Sequence, residues 1–341
     1  MNKIDKRSDK RFGATILDAE GTRLTIAEKT FFREADPFGF ILFARNIETP
    51  DQVRALCDDM RNAVGRDAPI TIDQEGGRVQ RLRAPQWREW ATPLEFVTRN
   101  GRHAERAMYL RYRIIADELR GIGIDSNCAP MVDIAEDSTH GFLKNRCYGF
   151  SAETVARLGR SAAQGLLDGG VLPIVKHIPG HGRAVVDSHL GLPRVSASLD
   201  HLTTHDFAPF RALNDLPMGM TAHLVYCDVD ELPATLSPKV MRLVRDDIGF
   251  DGLIMTDDIS MKALSGSLAD LSAASRAAGC DVVLFCNGTL AEKREVAEAA
   301  GMMDDAGQRR AQAALAARIS PVPVDIAALE RELGALQNGR M

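Results

Sequence analysis

Short apolar runs alternate along the chain with longer stretches in which apolar residues recur every three or four positions. The runs at 12–17, 38–43, 70–73, 122–128, 172–176, 218–224, 252–256 and 281–286 predict eight strands. GFILF and DVVLF lack polar alternation, the pattern of a parallel strand covered on both faces. Helical spacing is predicted over 50–64, 102–120, 152–168, 237–247 and 269–278. Thr49 before Pro50, Ser151, and Ser237 before Pro238 stand where N-terminal caps belong. The Ala-rich stretch 291–318 is expected as the last barrel helix, and AALERELGAL in the tail 321–341 as one more packed helix.

Strands and helices alternating over about 290 residues predict an α/β fold, a (β/α)8 TIM barrel. A doubly wound sheet would also alternate in this way, but no G-x-G-x-x-G follows the first strand. No composition break marks a linker. Residues 1–341 are therefore expected as a single domain, with the barrel over about 10–318 and a short helical tail.

Composition narrows the partners more than the chemistry. With 45% hydrophobic and 26% charged residues, the chain is neither disordered nor collagen-like. A net charge of −5 gives no basic excess, so a nucleic-acid partner is not expected. The opening MNKIDKRSDKR has no apolar core for a secretory signal, and no run approaches the ~18 apolar residues of a membrane span. The six cysteines form no CxxC pair, which fits reduced thiols in the cytoplasm.

Chemistry concentrates where the predicted strands end, the position at which barrel enzymes place their sites. Strand three runs into DQEGGRVQR (73–81), strand five into KHIPGHG (176–182), strand six into Thr221-Ala-His223 and strand seven into Thr256-Asp257-Asp258. Asp257 is placed to be a nucleophile, a metal ligand or a loop cap; the commoner role for an Asp after a strand is the last, one of Asp257 and Asp258 capping the next helix. Residues 177–193 carry Gly, Pro, three His and Asp without either periodicity, as a functional loop does. Asp187 and His189, two apart, fall on one face of an extended segment, where the carboxylate raises the imidazole's proton affinity for acid/base work. His177 and His181 have metal-ligand spacing only on a helix, which Pro179-Gly180 breaks. Lys176 is placed for a Schiff base or for donating to a bound hydroxyl. Arg78, Arg81 and Arg146 are candidate ligand-binding cations.

Taken together, IDQEGGRVQRL, KHIPGHG, VDSH and MTDDISM resemble, in order and spacing, the signature set of the family 3 glycoside hydrolases. Within that family they are most similar to the bacterial cytoplasmic β-N-acetylhexosaminidases of cell-wall recycling. The resemblance covers about residues 10–300 and implies that Asp257 is the nucleophile and His189, paired with Asp187, the acid/base. It implies that Asp73, Arg81, Arg146, Lys176 and His177 hold the sugar, with no metal or cofactor. The implied reaction removes terminal β-linked N-acetylglucosamine from muropeptides carrying 1,6-anhydro-N-acetylmuramic acid, in a cytoplasmic monomer that binds only its small carbohydrate substrate. Two departures stand out: Ile178 where Phe is common, and Cys147-Tyr148 after Arg146 where relatives show Ser-Phe.

Retaining glycosidases commonly set two carboxyls about 5–5.5 Å apart. Here an imidazole takes the place of the second. A β-glucosidase or xylosidase of the same family commonly draws its acid/base from a second domain, for which 341 residues leave no room. A phosphorylase, a Schiff-base aldolase using Lys176 and a non-catalytic sugar-binding barrel would also fit a barrel of this composition. Replacing His189 is expected to slow substrates with poor leaving groups far more than those with good ones; equal losses in a series of aryl glycosides would remove its acid role.

Overall fold

The computed structural model describes residues 11–185 and 191–338. Eight parallel strands form one sheet: β1 (Gly13–Asp18), β2 (Pro37–Leu42), β3 (Ile70–Ile72), β4 (Ser126–Asn127), β5 (Leu172–Ile178), β6 (Met218–Thr221), β7 (Leu253–Met255) and β8 (Val283–Phe285). Their order is β7-β6-β5-β4-β3-β2-β1-β8, so sequence neighbours pair except where the first strand meets the last. A parallel bridge between Met255 and Val282 joins the two edges, with Thr256 N donating to Val282 O at 3.0 Å. The sheet closes into the (β/α)8 barrel that the strand–helix alternation predicts.

The helices around it form for local reasons. Pro50–Val64 starts at Thr49, whose hydroxyl accepts from Gln52 N, and stops at Gly65, where φ of +65° lets the chain turn off the helix. Its buried face is Val53, Leu56, Cys57, Met60 and Ala63, the three-to-four spacing visible in the sequence. Ala152–Asp168 is likewise capped by Ser151 and packs extensively on Ala104–Arg120.

Several boundaries differ from the sequence expectation. The stretch 291–318 is two helices, Leu290–Ala300 and Asp305–Ala316, because Gly301 takes φ of +64° and Asp304 caps a new start through Gly307 N. Between them Met303 N bonds Phe12 O and Gly301 O accepts from Ala14 N, stitching the break to β1. The predicted helix over 237–247 is α-helical only for Pro238–Arg242 and continues as a wider π turn. Strand four, expected over 122–128, pairs only at Ser126–Asn127, whereas β5 extends through Ile178 and so takes His177 into the sheet. The helix predicted in the tail is present as Ile326–Gln337 and packs on Ala104–Arg120.

Carboxylates tie the ends of the strands to the surrounding layer. At the N-terminal ends, Asp125 accepts from Ile70 N and sits 2.8 Å from Arg61 and 2.5 Å from Arg318. Asp281 accepts from Ile254 N and pairs with Arg245 (2.7 Å) and Arg310 (3.1 Å). Asp36 pairs with Arg66. At the C-terminal end of β1, Asp18 pairs with Lys293 of the helix Leu290–Ala300 at 2.9 Å, both side chains fully buried, and also with Arg45. No helix among the described residues is long and apolar enough to cross a membrane.

Removing one partner of such a buried network leaves the other charge uncompensated. Asp125→Ala is therefore expected to cost about 3 kcal/mol of unfolding free energy, measured by denaturant titration; an unchanged midpoint would show that Arg61 and Arg318 need no counter-charge.

Candidate active site

The C-terminal ends of the strands open into a cavity of about 420 Å³. Asp73 follows β3, Lys176 and His177 end β5, and Asp257 lies two residues beyond β7; all four line it. One wall is a small antiparallel hairpin, Gln74–Gly76 with Val79–Gln80, which carries Arg78 and Arg81. The facing wall is the short helix Gly141–Lys144 and the turn after it, with Phe142, Leu143 and Arg146. The hairpin bends where glycine is required: Gly76 has φ of +124°, and a Cβ there would strike the Arg111 guanidinium. Arg111, itself fully buried, donates to the carbonyls of Glu75 and Ala91 and so fixes the backbone that presents Glu75.

Charge on the cavity floor is paired. Lys176 Nζ lies 3.0 Å from Asp73 and 2.7 Å from Glu75. Arg81 donates to Asp73 at 2.9 Å, and Arg146 grips Glu75 with two bonds of 3.0 and 2.8 Å. Burial pushes each carboxyl up, but the neighbouring cations outweigh it: Glu75 falls from 4.5 to about 2 and Asp73 lies well below the usual carboxylate range. Burial acts on the Lys176 ammonium in the opposite sense, and Asp73 and Glu75 overcome that too, holding it protonated. A lysine so held is an ammonium donor to hydroxyl groups and not the free amine that a Schiff base requires.

A second group of side chains surrounds Asp257. Burial raises its carboxyl, yet the imidazoles of His223 and His177 and the bond from Asp258 N more than offset this, so it lies below the ordinary aspartate value. Asp258 points elsewhere, accepting from Ser260 N at 3.0 Å and from the Cys286 thiol and Asn287 amide. Asp258 thus caps the turn through Ser260 N, while both aspartates line the cavity. His223 bridges Thr235 (2.7 Å) and the Asp258 carbonyl (3.0 Å), which fixes its ring close to Asp257.

Asp133, wholly buried, organises the KHIPGHG turn. It accepts from His177 Nδ1 at 2.7 Å and from His181 N at 2.6 Å. Burial, with His177 close by, lowers His181 to about 4, so that ring is neutral near pH 7. Gly182 packs so closely that a Cβ would meet the Ile134 carbonyl. Beyond the turn, Arg183 pairs with Asp206 (2.9 Å) and Glu136 (3.0 Å), beside His201 and His205.

Asp73, Arg81, Arg146, Lys176, His177 and Asp257 thus line one cavity. Asp187 and His189 lie outside the described residues. Cys147 and Tyr148 do not line the cavity: both are buried behind it, Tyr148 sharing a 2.9 Å bond with Tyr112. The His177 and His181 rings lie 5.5 Å apart, and Asp133 holds the Nδ1 side of His177. Sequence reasoning misses Glu75, Asp133 and the role of His223. The signals that could have found them are weak: Glu75 stands inside DQEGGRVQR, and Asp133 follows strand four by a few residues.

Fold and cavity define an α/β-barrel enzyme with ionised carboxylates and balanced cations at the C-terminal face. Residues 26–319 match the glycosyl hydrolase family 3 N-terminal domain. The chain belongs to glycosyl hydrolase family 3. It is 36% identical over 283 residues to a β-hexosaminidase of Alkalilimnicola ehrlichii, covering 81% of each chain. A β-hexosaminidase of Pseudomonas aeruginosa is 36% identical over 279 residues, 81% of this chain and 82% of its own. Among solved structures, native NagZ from Neisseria gonorrhoeae superposes with a TM-score of 0.83 at 32% identity, over 96% of both chains. The same protein in complex with N-trifluoroacetyl-D-glucosamine gives 0.83 at 31%, over 96% of this chain and 97% of its own.

Because Glu75 is depressed, its contribution to stability is full above about 4.5 and is lost as pH falls toward about 2. Glu75→Gln is expected to destabilise by about 3 kcal/mol at pH 7 and to converge on the parent protein only as pH falls to about 2 and below, read from denaturant titrations. A gap that does not narrow with acid would refute the pairing.

Proposed function

We propose that the chain is a retaining exo-β-N-acetylglucosaminidase that releases terminal β-linked N-acetylglucosamine from muropeptides carrying 1,6-anhydro-N-acetylmuramic acid. It would do so in the cytoplasm as a single-barrel monomer, in peptidoglycan recycling. The observation that carries this reading is Asp257: an ionised carboxylate facing a sugar-sized cavity, with its own hydrogen bond from Asp258 N and, among the described residues, no lysine or arginine paired with it. The names of the relatives, and the glucosamine derivative bound to the gonococcal protein, support the choice of sugar.

In this mechanism the sugar sits on the floor. The ionised oxygens of Asp73 and the donors of Lys176, Arg81, Arg146 and His177 bond its hydroxyls, orienting the anomeric carbon toward Asp257. Asp257 attacks that carbon and the glycosidic bond breaks, leaving a covalent glycosyl-enzyme. His189, steadied by Asp187, gives its proton to the departing oxygen and then takes one from the water that attacks the intermediate. The product keeps the β configuration because two inversions occur at the same carbon.

The depressed carboxyl of Asp257 means that the nucleophile is already ionised at neutral pH. Protonation of Asp257 therefore does not set the acid limb of the rate profile above the ordinary aspartate range. Asp257→Ala is expected to lower kcat on p-nitrophenyl β-N-acetylglucosaminide by on the order of 10³-fold or more. In a panel, the N-acetylglucosaminide should be cleaved far better than the glucoside or xyloside. Free N-acetylglucosamine in phosphate buffer supports hydrolysis, whereas its 1-phosphate would mean phosphorolysis.

A further inference from the structure

Three of the four lysine and arginine side chains lining the cavity have acidic partners on its floor: Arg81 on Asp73, Arg146 on Glu75, and Lys176 on both. Asp257 and Asp258 also line the cavity, so four carboxylates meet these three cations and the floor has no cation to spare. The fourth cation is Arg78. It is exposed, lines the cavity from the tip of the hairpin, and forms no ion pair among the described residues. Its guanidinium lies 3.7 Å from the centre of the Phe142 ring, whose far neighbour is Arg146 at 5.3 Å.

This cation is held in place and not merely solvated. Gly77 N donates to Trp90 O at 2.8 Å, and Arg83 donates to Gly77 O at 2.7 Å, so the turn carrying Arg78 is tied on both sides. Gly77 has φ of +59° and packs so closely on Thr92 that a Cβ there would strike its side chain. Stacking on Phe142 restricts the side chain while leaving the guanidinium edge free to donate, the geometry that suits a carboxylate.

We infer that Arg78 and Phe142 form a carboxylate-recognising subsite at the cavity mouth, which reads an anionic group on the leaving-group side of the substrate. This rests on the proposed glycosidase reading. With the anomeric carbon at Asp257 on the floor, the leaving group can only extend toward the mouth, where Arg78 stands. A carboxylate on the leaving-group sugar or on its peptide substituent meets there the one lining cation, among the described residues, without a counter-ion. The floor, whose cations are all paired, offers it no equivalent place.

The test uses three aryl β-N-acetylglucosaminides of similar leaving-group acidity: p-nitrophenyl, a nitrophenyl bearing a ring carboxylate, and its carboxamide. For the parent protein, kcat/KM for the carboxylate should exceed that for the carboxamide by roughly five- to ten-fold, mostly through KM, and the ratio should shrink with added salt. In Arg78→Gln the ratio should fall to about one, and in Arg78→Lys it should recover in part. Melting temperatures are compared to confirm that each variant is folded. A ratio that is the same in Arg78→Gln and the parent overturns the subsite while leaving the glycosidase reading intact. No turnover of any of the three by the parent overturns the glycosidase reading and the subsite with it.

Discussion

The interaction on which the site depends is the pairing of Asp73 and Glu75 with Lys176, Arg81 and Arg146. Five charged groups buried together would be ruinous singly, since each loses its hydration. They are tolerated because each cation meets a carboxylate at hydrogen-bonding distance. The consequence for chemistry is a floor rich in fixed donors and acceptors but nearly neutral in sum. Such a floor orients uncharged hydroxyls without attracting free ions. It also keeps Lys176 protonated, which separates this barrel from those that use a lysine as nucleophile.

Apart from Asp18, which fastens a helix at the C-terminal end of β1, the two ends of the barrel use the same residue types differently. At the N-terminal ends Asp36, Asp125 and Asp281 are held by arginines from the outer layer, and two of them by strand amides as well. Those contacts fasten helices to strands. At the C-terminal ends Asp73, Asp133 and Asp257 bond to groups that line or shape the cavity. The division follows from the barrel itself, whose C-terminal face alone gathers eight loops around one opening.

How much of this is legible in the sequence depends on the separation of the partners. Seven of the eight strands lie within apolar runs, because burial on both faces leaves a local signature, whereas β4 is the polar pair Ser126–Asn127 at the end of its run. Asp73, Arg81, Lys176, His177 and Asp257 stand at strand ends or in compact motifs, which is why the sequence points to them. What escapes are the pairings across the fold: Arg146 finds Glu75 over 71 residues and His177 finds Asp133 over 44, and no periodicity reports such contacts. The break at Gly301 escapes for another reason. An Ala-rich run has strong helix propensity on both sides of a glycine, and only the bonds of 301–303 to β1 make the interruption worthwhile.

Those bonds, with the pairing of Asp18 to Lys293, bear on how the chain is made. A ribosome releases β1 long before the helix at 290–300 exists, so during synthesis Asp18 lacks its ammonium and β1 lacks one neighbour strand. The first strand must wait through nearly the whole of translation before its edge is covered. Such distant closure slows folding and leaves the nascent sheet open to wrong partners. The arrival of β8 converts the open sheet into a ring, and the helix Leu290–Ala300 that follows it brings the ammonium that Asp18 has lacked.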